Sequence, residues 1–243
     1  DIEFTEGMVL RFKFPLEGSS KFKDLILGDI AINNREFDDF IILRSDGSPT
    51  YNFCAAVDDM EMKITTVIRG DDHITNTLKQ INVLDAWGAT SPSYAHLPMV
   101  LAESGKRLSK RDGAEDILDY KKKGYLNDAL VNYLVRLGWS HGEEEIFSLE
   151  KLKKIFNLED VNSSPSKYSQ ELLDWYNNKY LNFLTPEDLI LKVKENSGVD
   201  FNQIDNGKLA ISLLAKGAHS LNQIAEESAY FFEEPQTKFD LLK

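Results

Sequence analysis

Cysteine is nearly absent from this sequence, and its scarcity limits the kinds of site the chain can build. Among 243 residues only Cys54 carries a thiol, and only four histidines occur. A disulfide framework needs paired cysteines, and structural zinc sites need several cysteines or histidines at close spacing. The sequence therefore excludes an internal disulfide and a multi-cysteine metal site, and it predicts a protein of a reducing compartment, the cytoplasm.

Long apolar runs are missing as well. No segment approaches the ~20 consecutive apolar residues that a membrane-spanning helix requires. The first residues are charged and strand-like, unlike a secretory leader. With 42% hydrophobic and 28% charged residues, the composition is that of an ordinary globular protein. We therefore expect a globular protein that does not bind a membrane.

Positive charge is scarce overall, because the formal net charge is -12. Such a chain is not a general nucleic-acid coat, and we expect it not to bind DNA. The segment ESGKRLSKRDG nevertheless gathers four cations around one serine. These residues are Lys106, Arg107, Lys110, Arg111 and Ser109. Screening confines the influence of a charge to ~10 Å at ordinary salt, so a local cationic site is compatible with an acidic chain.

The first hundred residues have the pattern of an α/β fold. Alternating or β-branched runs predict strands in MVLRFKFP, GDIAIN and KITTVIRG, and DDFIILRSDGSPTYNF predicts a strand, a turn and a second strand. DDHITNTLKQINVLDAWG predicts a helix that ends at Gly88, with Ile74, Leu78, Ile81 and Leu84 on its apolar face. The strand HLPMVLA completes a β-α-β unit, whose parallel strands bind ligands at their carboxyl ends.

The rest of the chain, from Asp112 onward, has the pattern of helices. AEDILDYKKKG, YLNDALVNYLVRLGW, SLEKLKKIF, SQELLDWYNNKYL and TPEDLILKVKEN each show helical spacing of apolar residues or a helix start. Two further helices are predicted around residues 208–216 and 220–232. We therefore predict an α/β region followed by an all-α region.

The cation-rich segment suits a phosphate ligand. Lysine supplies a compact charge and serine a small hydroxyl donor. Such groups suit a triphosphate whose negative charge grows on a leaving pyrophosphate. The alternative is a solvated surface loop, which is the commoner meaning of so short a string when nothing else supports it.

The neighbouring sequence does support the phosphate interpretation. RLSKR resembles the second signature of class I aminoacyl-tRNA synthetases, and LSKRDG resembles the form of glutamyl-tRNA synthetases of bacterial type. Four segments are similar to that family in order and spacing, namely Ser45–Asp59, Thr65–Thr77, Tyr94–Ala114 and Gly124–Ser140. The resemblance covers most of residues 7–181 and is looser beyond. It implies the second half of a doubly wound, Rossmann-type parallel sheet, followed by helical stem-contact and anticodon-side regions.

The resemblance implies an ATP site. Lys110 would contact the ATP phosphates as a catalytic residue, with Ser109 and Arg111 beside it. Arg107 takes the place of the family's first motif lysine, a departure that keeps the charge and changes its shape. Four further positions are implied by the same comparison: Asp72 and His73 would contact ATP near a helix start, and Met99 and Val100 would lie beside adenine.

The resemblance also implies a glutamate pocket. Tyr51 would line this pocket, and Arg69 would pair with a carboxylate of the substrate. A guanidinium–carboxylate pair is strong and orienting, which suits selection of an acidic amino acid. Ala55 stands where some relatives have a polar pocket residue, so no role is assigned to it.

The same comparison divides the chain into four parts. Residues 1–49 would be the tail of an inserted acceptor-stem-binding module, and residues 50–112 the C-terminal half of the nucleotide-binding domain with the signature loop. Residues 113–181 would be the stem-contact helices and residues 182–243 the start of the helical anticodon-binding region. The family's first signature, His-Ile-Gly-His, does not occur in this sequence. We therefore expect a fragment with little activity by itself.

The implied activity is that of a glutamate–tRNA ligase, which activates glutamate with ATP and Mg²⁺ and transfers it to the 3′ end of tRNA(Glu). We expect a monomer. A glutaminyl-tRNA synthetase should continue with β-barrels after the signature loop, and the short paralogue that glutamylates a modified tRNA base should end soon after it. The helical patterns here favour neither. A non-catalytic tRNA-binding module made of the same segments remains an alternative.

Overall fold

The computed structural model of this chain describes Thr5, residues 7–108 and residues 115–232. The chain divides into two compact units. The first comprises residues up to 99 together with residues 157–165, and the second comprises residues 100–156 and those from 166 onward. None of the helices in the described ranges is both long and apolar enough to cross a membrane.

The first unit is built on a mixed four-stranded sheet. Its elements are β1 Leu10–Phe12, β2 Ser19–Asp24, β3 Gly28–Asn33, β4 Phe40–Leu43, α1 Tyr51–Glu61, β5 Thr66–Gly70, α2 Ile74–Trp87 and β6 Ser93–Leu97. The sheet order is β3-β2-β6-β5, and β1 pairs with β4 separately. Strands β2, β6 and β5 are parallel, whereas β3 is antiparallel to β2. The predicted β-α-β unit is present as β5, α2 and β6, but its last strand runs from Ser93 to Leu97 and not over the predicted residues 96–102.

Helix α2 ends where the sequence predicts, but it begins at Ile74, after a 3₁₀ turn over the predicted start at Asp71–His73. Its buried face is only partly the predicted one. It ends at Gly88, which adopts the left-handed conformation, φ 73°, that glycine tolerates best. Leu78 and Leu84 are buried, as expected. Ile74 and Ile81 are only half-buried, and the hydrophilic residues Thr77 and Gln80 are buried instead. One side of α2 therefore faces a polar interior.

The predicted second strand of the hairpin at residues 40–53 is wrong. A bridge between Leu43 and Pro49 closes a short turn, but α1 then begins at Tyr51. Helical spacing becomes visible only past the aromatic stretch. Phe53, Ala56 and Met60, spaced by three and four residues, belong to the apolar cluster around Val83 and Leu84 of α2. Tertiary packing of this face outweighs the β-propensity of the aromatic residues.

The second unit is mainly helical, as predicted. Its elements are β7 Val100–Leu101, α3 Ile117–Lys122, α4 Asn127–Arg136, α5 Leu149–Ile155, β8 Ser166–Lys167, α6 Gln170–Phe183, α7 Pro186–Ser197, α8 Gly207–Gly217, α9 Leu221–Glu227 and α10 Ala229–Phe232. Strands β7 and β8 pair in parallel. The start of α7 follows the predicted pattern, since the hydroxyl of Thr185 accepts from the amide of Asp188 at 3.2 Å and Pro186 occupies the first turn.

The core of the second unit is apolar and continuous along its later helices. The buried members come from α4, α6, α7, α8 and α9, with Val193, Phe201, Ile211 and Ile224 fully covered. Gly124, with φ 82°, lets the chain approach α9 closely. A Cβ at this position would lie 2.9 Å from the amide nitrogen of Leu221.

Candidate functional site

Three parallel strands of the first unit end at one edge of the sheet with polar or charged residues. Arg69 and His96 are register partners at the next-to-last positions of β5 and β6, and Asp24 is the last residue of β2. Ligands of parallel α/β sheets bind at this carboxyl edge. The edge is therefore the place to look for a site in the first unit.

Asp24 and His96 form a hydrogen-bonded pair with fully buried side chains. Asp24 Oδ2 lies 2.6 Å from His96 Nδ1, and Oδ1 accepts the amides of Ile26 and Leu27 at 2.9 Å. Burial alone raises the pKa of Asp24, but the amides of Leu27 and Ile26, with the His96 ring and amide, outweigh it and hold that pKa below its ordinary value. The carboxylate is therefore charged, and Nδ1 of His96 carries a proton directed at it.

Arg69 is held on one side of its guanidinium by α2. Nη2 donates to Thr77 Oγ1 at 2.5 Å and to Gln80 Oε1 at 2.8 Å. Nε lies 3.5 Å from His96 Nε2, which is itself 2.9 Å from Thr77 Oγ1. Within the described ranges, no carboxylate lies at ion-pair distance from this half-buried cation. Arg69 is thus a fixed positive charge with no counter-ion among residues 7–108 and 115–232.

Tyr51 and His73 stand on the open side of Arg69. Arg69 Nη1 lies 3.4 Å from the Tyr51 hydroxyl, and the rings of Tyr51 and His73 meet edge to face at 5.9 Å. The Tyr51 side chain is 52% exposed. Asp72 is exposed in the short 3₁₀ turn that ends at His73. The structure therefore brings Tyr51, Arg69 and His73 together, and their assignment to substrates stays a prediction.

The buried ring of Tyr94 lies against the guanidinium of Arg69. Its guanidinium carbon is 5.9 Å from the centre of the Tyr94 ring, a cation–π distance. Burial raises the pKa of Tyr94 to about 12, although the charge of Arg69 acts in the opposite direction. The Tyr94 hydroxyl is therefore neutral near pH 7 and offers no competing negative charge.

The remaining predicted ATP residues lie outside this cluster. Met99 is the last residue of the first unit, and Val100 begins β7 in the second. Arg107 forms a bridge with Leu101, so the chain that leads into the signature loop is a tight antiparallel hairpin closed by Leu108 N to Val100 O at 3.0 Å. Three predicted residues, Ser109, Lys110 and Arg111, lie outside the described residues.

Comparison with known protein families decides the relationship. The family described as "tRNA synthetases class I (E and Q), catalytic domain" matches residues 2–175. The chain belongs to this family. It is 46% identical over 237 residues to a glutamate–tRNA ligase of Janthinobacterium sp. (strain Marseille), and 48% identical over 232 residues to glutamate–tRNA ligase 2 of Coxiella burnetii (strain Dugway 5J108-111).

Solved structures of class I synthetases support the fold. A glutamate–tRNA ligase from Elizabethkingia meningosepticum CCUG26117, in complex with its amino acid, superimposes with a TM-score of 0.83 at 31% identity over 94% of this chain. The synthetase of Elizabethkingia anophelis gives 0.82. These matches confirm the predicted fold class. The chain spans about half the length of the relatives it matches, 51% of the Janthinobacterium protein and 50% of the E. meningosepticum chain.

Sequence reasoning within this synthetase chain missed the residues behind Arg69. These are Asp24, His96, Thr77 and Gln80. A signal was available for two of them, since Thr77 and Gln80 are three residues apart and share a face of a predicted helix. No sequence signal pairs Asp24 with His96, because their contact spans 72 residues of chain.

Proposed function

We propose that this chain is part of a glutamate–tRNA ligase that joins glutamate to ATP as glutamyl-adenylate and transfers the glutamyl group to the 3′ end of tRNA(Glu). The observation that carries the proposal is Arg69, a half-buried cation at the carboxyl edge of the sheet with no carboxylate partner among the described residues. A fixed cation without a counter-ion suits a ligand that brings its own carboxylate. The named relatives act on this amino acid.

The glutamate carboxylate would meet Nη1 of Arg69 together with the Tyr51 hydroxyl. Both hydrogens of Nη2 are already directed at Thr77 and Gln80, so they are not available to the ligand. Nη1 has only the 3.4 Å contact with Tyr51, which is long for a hydrogen bond. A carboxylate placed between Nη1 and the hydroxyl would receive a charge-assisted bond from each donor.

The ATP subsite is proposed for the remaining residues of the family comparison. Asp72 and His73 would contact the nucleotide beside the start of α2, and Met99 with Val100 would flank adenine. A second group, Arg107, Ser109, Lys110 and Arg111, would handle the phosphates, with Lys110 offsetting the charge that grows on pyrophosphate. Mg²⁺ would enter the site bound to the phosphates of ATP, because this hard cation prefers oxygen ligands.

The regions of the chain would divide this work. Residues 1–49 are assigned to the tail of the acceptor-stem module, 50–112 to the catalytic half-domain, 113–181 to stem contact and 182–243 to the anticodon side. The helical character of the described part of the second unit favours a glutamyl over a glutaminyl enzyme, which would turn to β-barrels. We propose a cytoplasmic monomer that acts on tRNA and not on DNA, and a single half-buried thiol, Cys54, suits that compartment.

The test is amino-acid-dependent exchange of pyrophosphate into ATP, in the presence of tRNA, by the complete gene product that contains this sequence. Glutamate should support exchange and glutamine should not. The 243-residue chain assayed beside it should exchange far more slowly, because it contains no His-Ile-Gly-His signature. Exchange with glutamine alone would contradict the assignment, and an equal rate by the short chain would contradict the need for that signature.

A further inference from the structure

A continuous series of hydrogen bonds connects the cation at the sheet edge to a buried carboxylate. Arg69 contacts Thr77, Thr77 contacts His96, and His96 contacts Asp24, at 2.5, 2.9 and 2.6 Å. We propose that Thr77, His96 and Asp24 are positioning residues that fix the guanidinium of Arg69, so that Nη1 alone is presented to the carboxylate of the amino acid. This rests on the proposed role of Arg69 in binding glutamate.

The hydrogen bonds from Arg69 through Thr77 and His96 to Asp24 can be arranged so that each residue donates to the next. Nδ1 of His96 gives its hydrogen to Asp24, and Nε2 faces the donors of Thr77 and Arg69, so Nε2 is the accepting nitrogen. The Thr77 hydroxyl has one hydrogen and two acceptors in reach, Nε2 of His96 at 2.9 Å and the carbonyl of His73 at 3.2 Å. The shorter contact takes the hydrogen, and the Thr77 oxygen accepts from Nη2 of Arg69. Every hydrogen bond then runs from the cation toward the carboxylate, and such aligned bonds polarise and strengthen one another.

These contacts fix the side-chain rotamer of Arg69 before the amino acid binds. Both hydrogens of Nη2 are used by Thr77 and Gln80, and Nε faces His96. An arginine side chain carries large rotamer entropy. When that entropy is lost during folding, it does not have to be lost again when the ligand binds, which is the general benefit of preorganisation. The same contacts select which edge of the guanidinium the ligand meets.

A catalytic role for the same three residues is disfavoured by their environment. A hydroxyl, an imidazole and a carboxylate in this order form the nucleophilic triad of many hydrolases. Here Thr77 and His96 are each 0% exposed, and the threonine oxygen accepts from Arg69. No substrate carbonyl can reach this oxygen, and its lone pair is engaged by a cation. The series therefore acts on Arg69 and not on a bond of the substrate.

The experiment compares three substitutions on α2 in the complete gene product. Thr77→Val keeps the shape and removes the hydroxyl, Thr77→Ser keeps the hydroxyl, and Asn82→Ala is the matched control. In the described part of the chain the Asn82 side chain bonds Ser20 and the carbonyl of Leu78, so it shares the helix with Thr77 but is not bonded to Arg69. Readouts are KM for glutamate, KM for ATP and the melting temperature.

Loss of the Thr77 hydroxyl should raise KM for glutamate roughly tenfold, because the hydrogen bond that holds the charged guanidinium of Arg69 is lost. KM for ATP should change by less than about twofold, because Arg69 is proposed to contact glutamate and not ATP. Thr77→Ser should restore KM for glutamate. Asn82→Ala should lower the melting temperature alone. An unchanged KM for glutamate in Thr77→Val, or the same change in Asn82→Ala, would overturn the proposal. If Thr77→Val does not fold, Gln80→Met removes the other acceptor of Nη2 and carries the same expectation.

A crystal structure of Thr77→Val separates this inference from the proposed function. The guanidinium of Arg69 should leave its wild-type position or occupy more than one. If Arg69→Ala does not affect KM for glutamate, the proposed role of Arg69 fails, whatever the crystal structure shows. If Arg69→Ala raises that KM and the guanidinium stays in place without the hydroxyl, the binding role stands and the positioning role is wrong.

Discussion

Each unit buries a cluster of polar side chains, and only the cluster of the first unit includes a partly exposed charged side chain. In the first unit Thr77, His96 and Asp24 lead to the half-buried cation of Arg69. In the second unit the buried Asn132 accepts the amide of Phe147 at 2.6 Å and the hydroxyl of Tyr180 at 2.8 Å, and donates to the carbonyl of Glu145 at 2.8 Å. The second cluster contains no charge in these bonds.

The difference shows which buried polar groups indicate a site. Asn132 satisfies backbone groups of a loop, and Asn177 does the same for Leu126 and His219. Each bond has its partner inside the protein, so these amides hold the fold together. The Arg69 cluster is satisfied at every buried position and leaves one charged donor at the surface. The proposed ligand site is therefore identified by a cation that has no carboxylate at ion-pair distance in the described part of the chain, and not by polar burial alone.

Asn132→Ala should give the largest change in stability. The amide of Phe147 and the carbonyl of Glu145 would lose their bonds to Asn132, whereas the Tyr180 hydroxyl keeps the carbonyl of Phe147 as an acceptor at 2.7 Å. Each buried orphan costs about 1–3 kcal/mol, so the free energy of unfolding should fall by about 3 kcal/mol. Urea denaturation of the chain measures this, and KM for glutamate in the complete gene product should stay the same. Asn182→Ala, an exposed amide that bonds two carbonyls of the same unit, is the control and should cost under ~1 kcal/mol. A changed KM in Asn132→Ala would abolish the contrast between the clusters.

Arg69→Ala should change KM for glutamate strongly and the free energy of unfolding little, the reverse of Asn132→Ala. KM for glutamate should rise by roughly a hundredfold, because a charge-assisted pair with the substrate is lost. KM for ATP should change little. Arg69→Lys keeps the charge and loses the planar fork, so it should restore only part of the affinity. Equal increases in both KM values would mean that Arg69 supports the fold of the site instead of contacting glutamate.

Asp24→Asn tests whether the buried carboxylate contributes stability as a charge. Since the pKa of Asp24 is lower in the folded protein than its ordinary value near ~3.9, its contribution is complete above that ordinary value and is lost as the pH falls through the folded pKa. The wild type should be the more stable protein at pH 7, by about 1–2 kcal/mol. The difference should shrink below about pH 4.

His96 and Arg69 belong to the same network as Asp24. The pH comparison of wild type with Asp24→Asn therefore needs a control for titration of the imidazole. His96→Gln, measured over the same pH range, removes the imidazole and leaves the carboxylate. A stability difference between wild type and Asp24→Asn that stayed constant down to pH 3 would show that the carboxylate acts as a neutral hydrogen-bond acceptor.

The sequence alone could predict the elements whose signals are local. The strand that ends at Gly70, the helix closed by Gly88 and the cap at Thr185 each depend on residues within a few positions. The helix at Tyr51 could not be predicted from its aromatic start, because its apolar face is defined by contact with α2. Residues near an element determine where it begins and ends. When local signals conflict, tertiary packing determines whether the segment forms a helix or a strand.

The candidate site divides in the same way. Tyr51 and Arg69 could be named because the sequence resembles a family, and the structure brings them within 3.4 Å of each other. The residues behind them could not be named. His96 reads as one polar position in an apolar strand, and only the parallel register of β5 and β6 makes it the neighbour of Arg69. Supporting residues of a site depend on sheet order, which a single sequence does not state.

The smallest expected effect concerns an exposed ion pair of the second unit. Lys151 Nζ lies 2.5 Å from a carboxylate oxygen of Glu144, and both side chains are well exposed. Lys151→Ala should lower the free energy of unfolding by under ~1 kcal/mol, because solvent screens such pairs and ordering two long side chains offsets the gain. Denaturation in low and in high salt measures it, and the small loss should vanish in high salt. A loss comparable to that of Asn132→Ala would contradict the view that the buried amides, and not the surface charges, stabilise this unit.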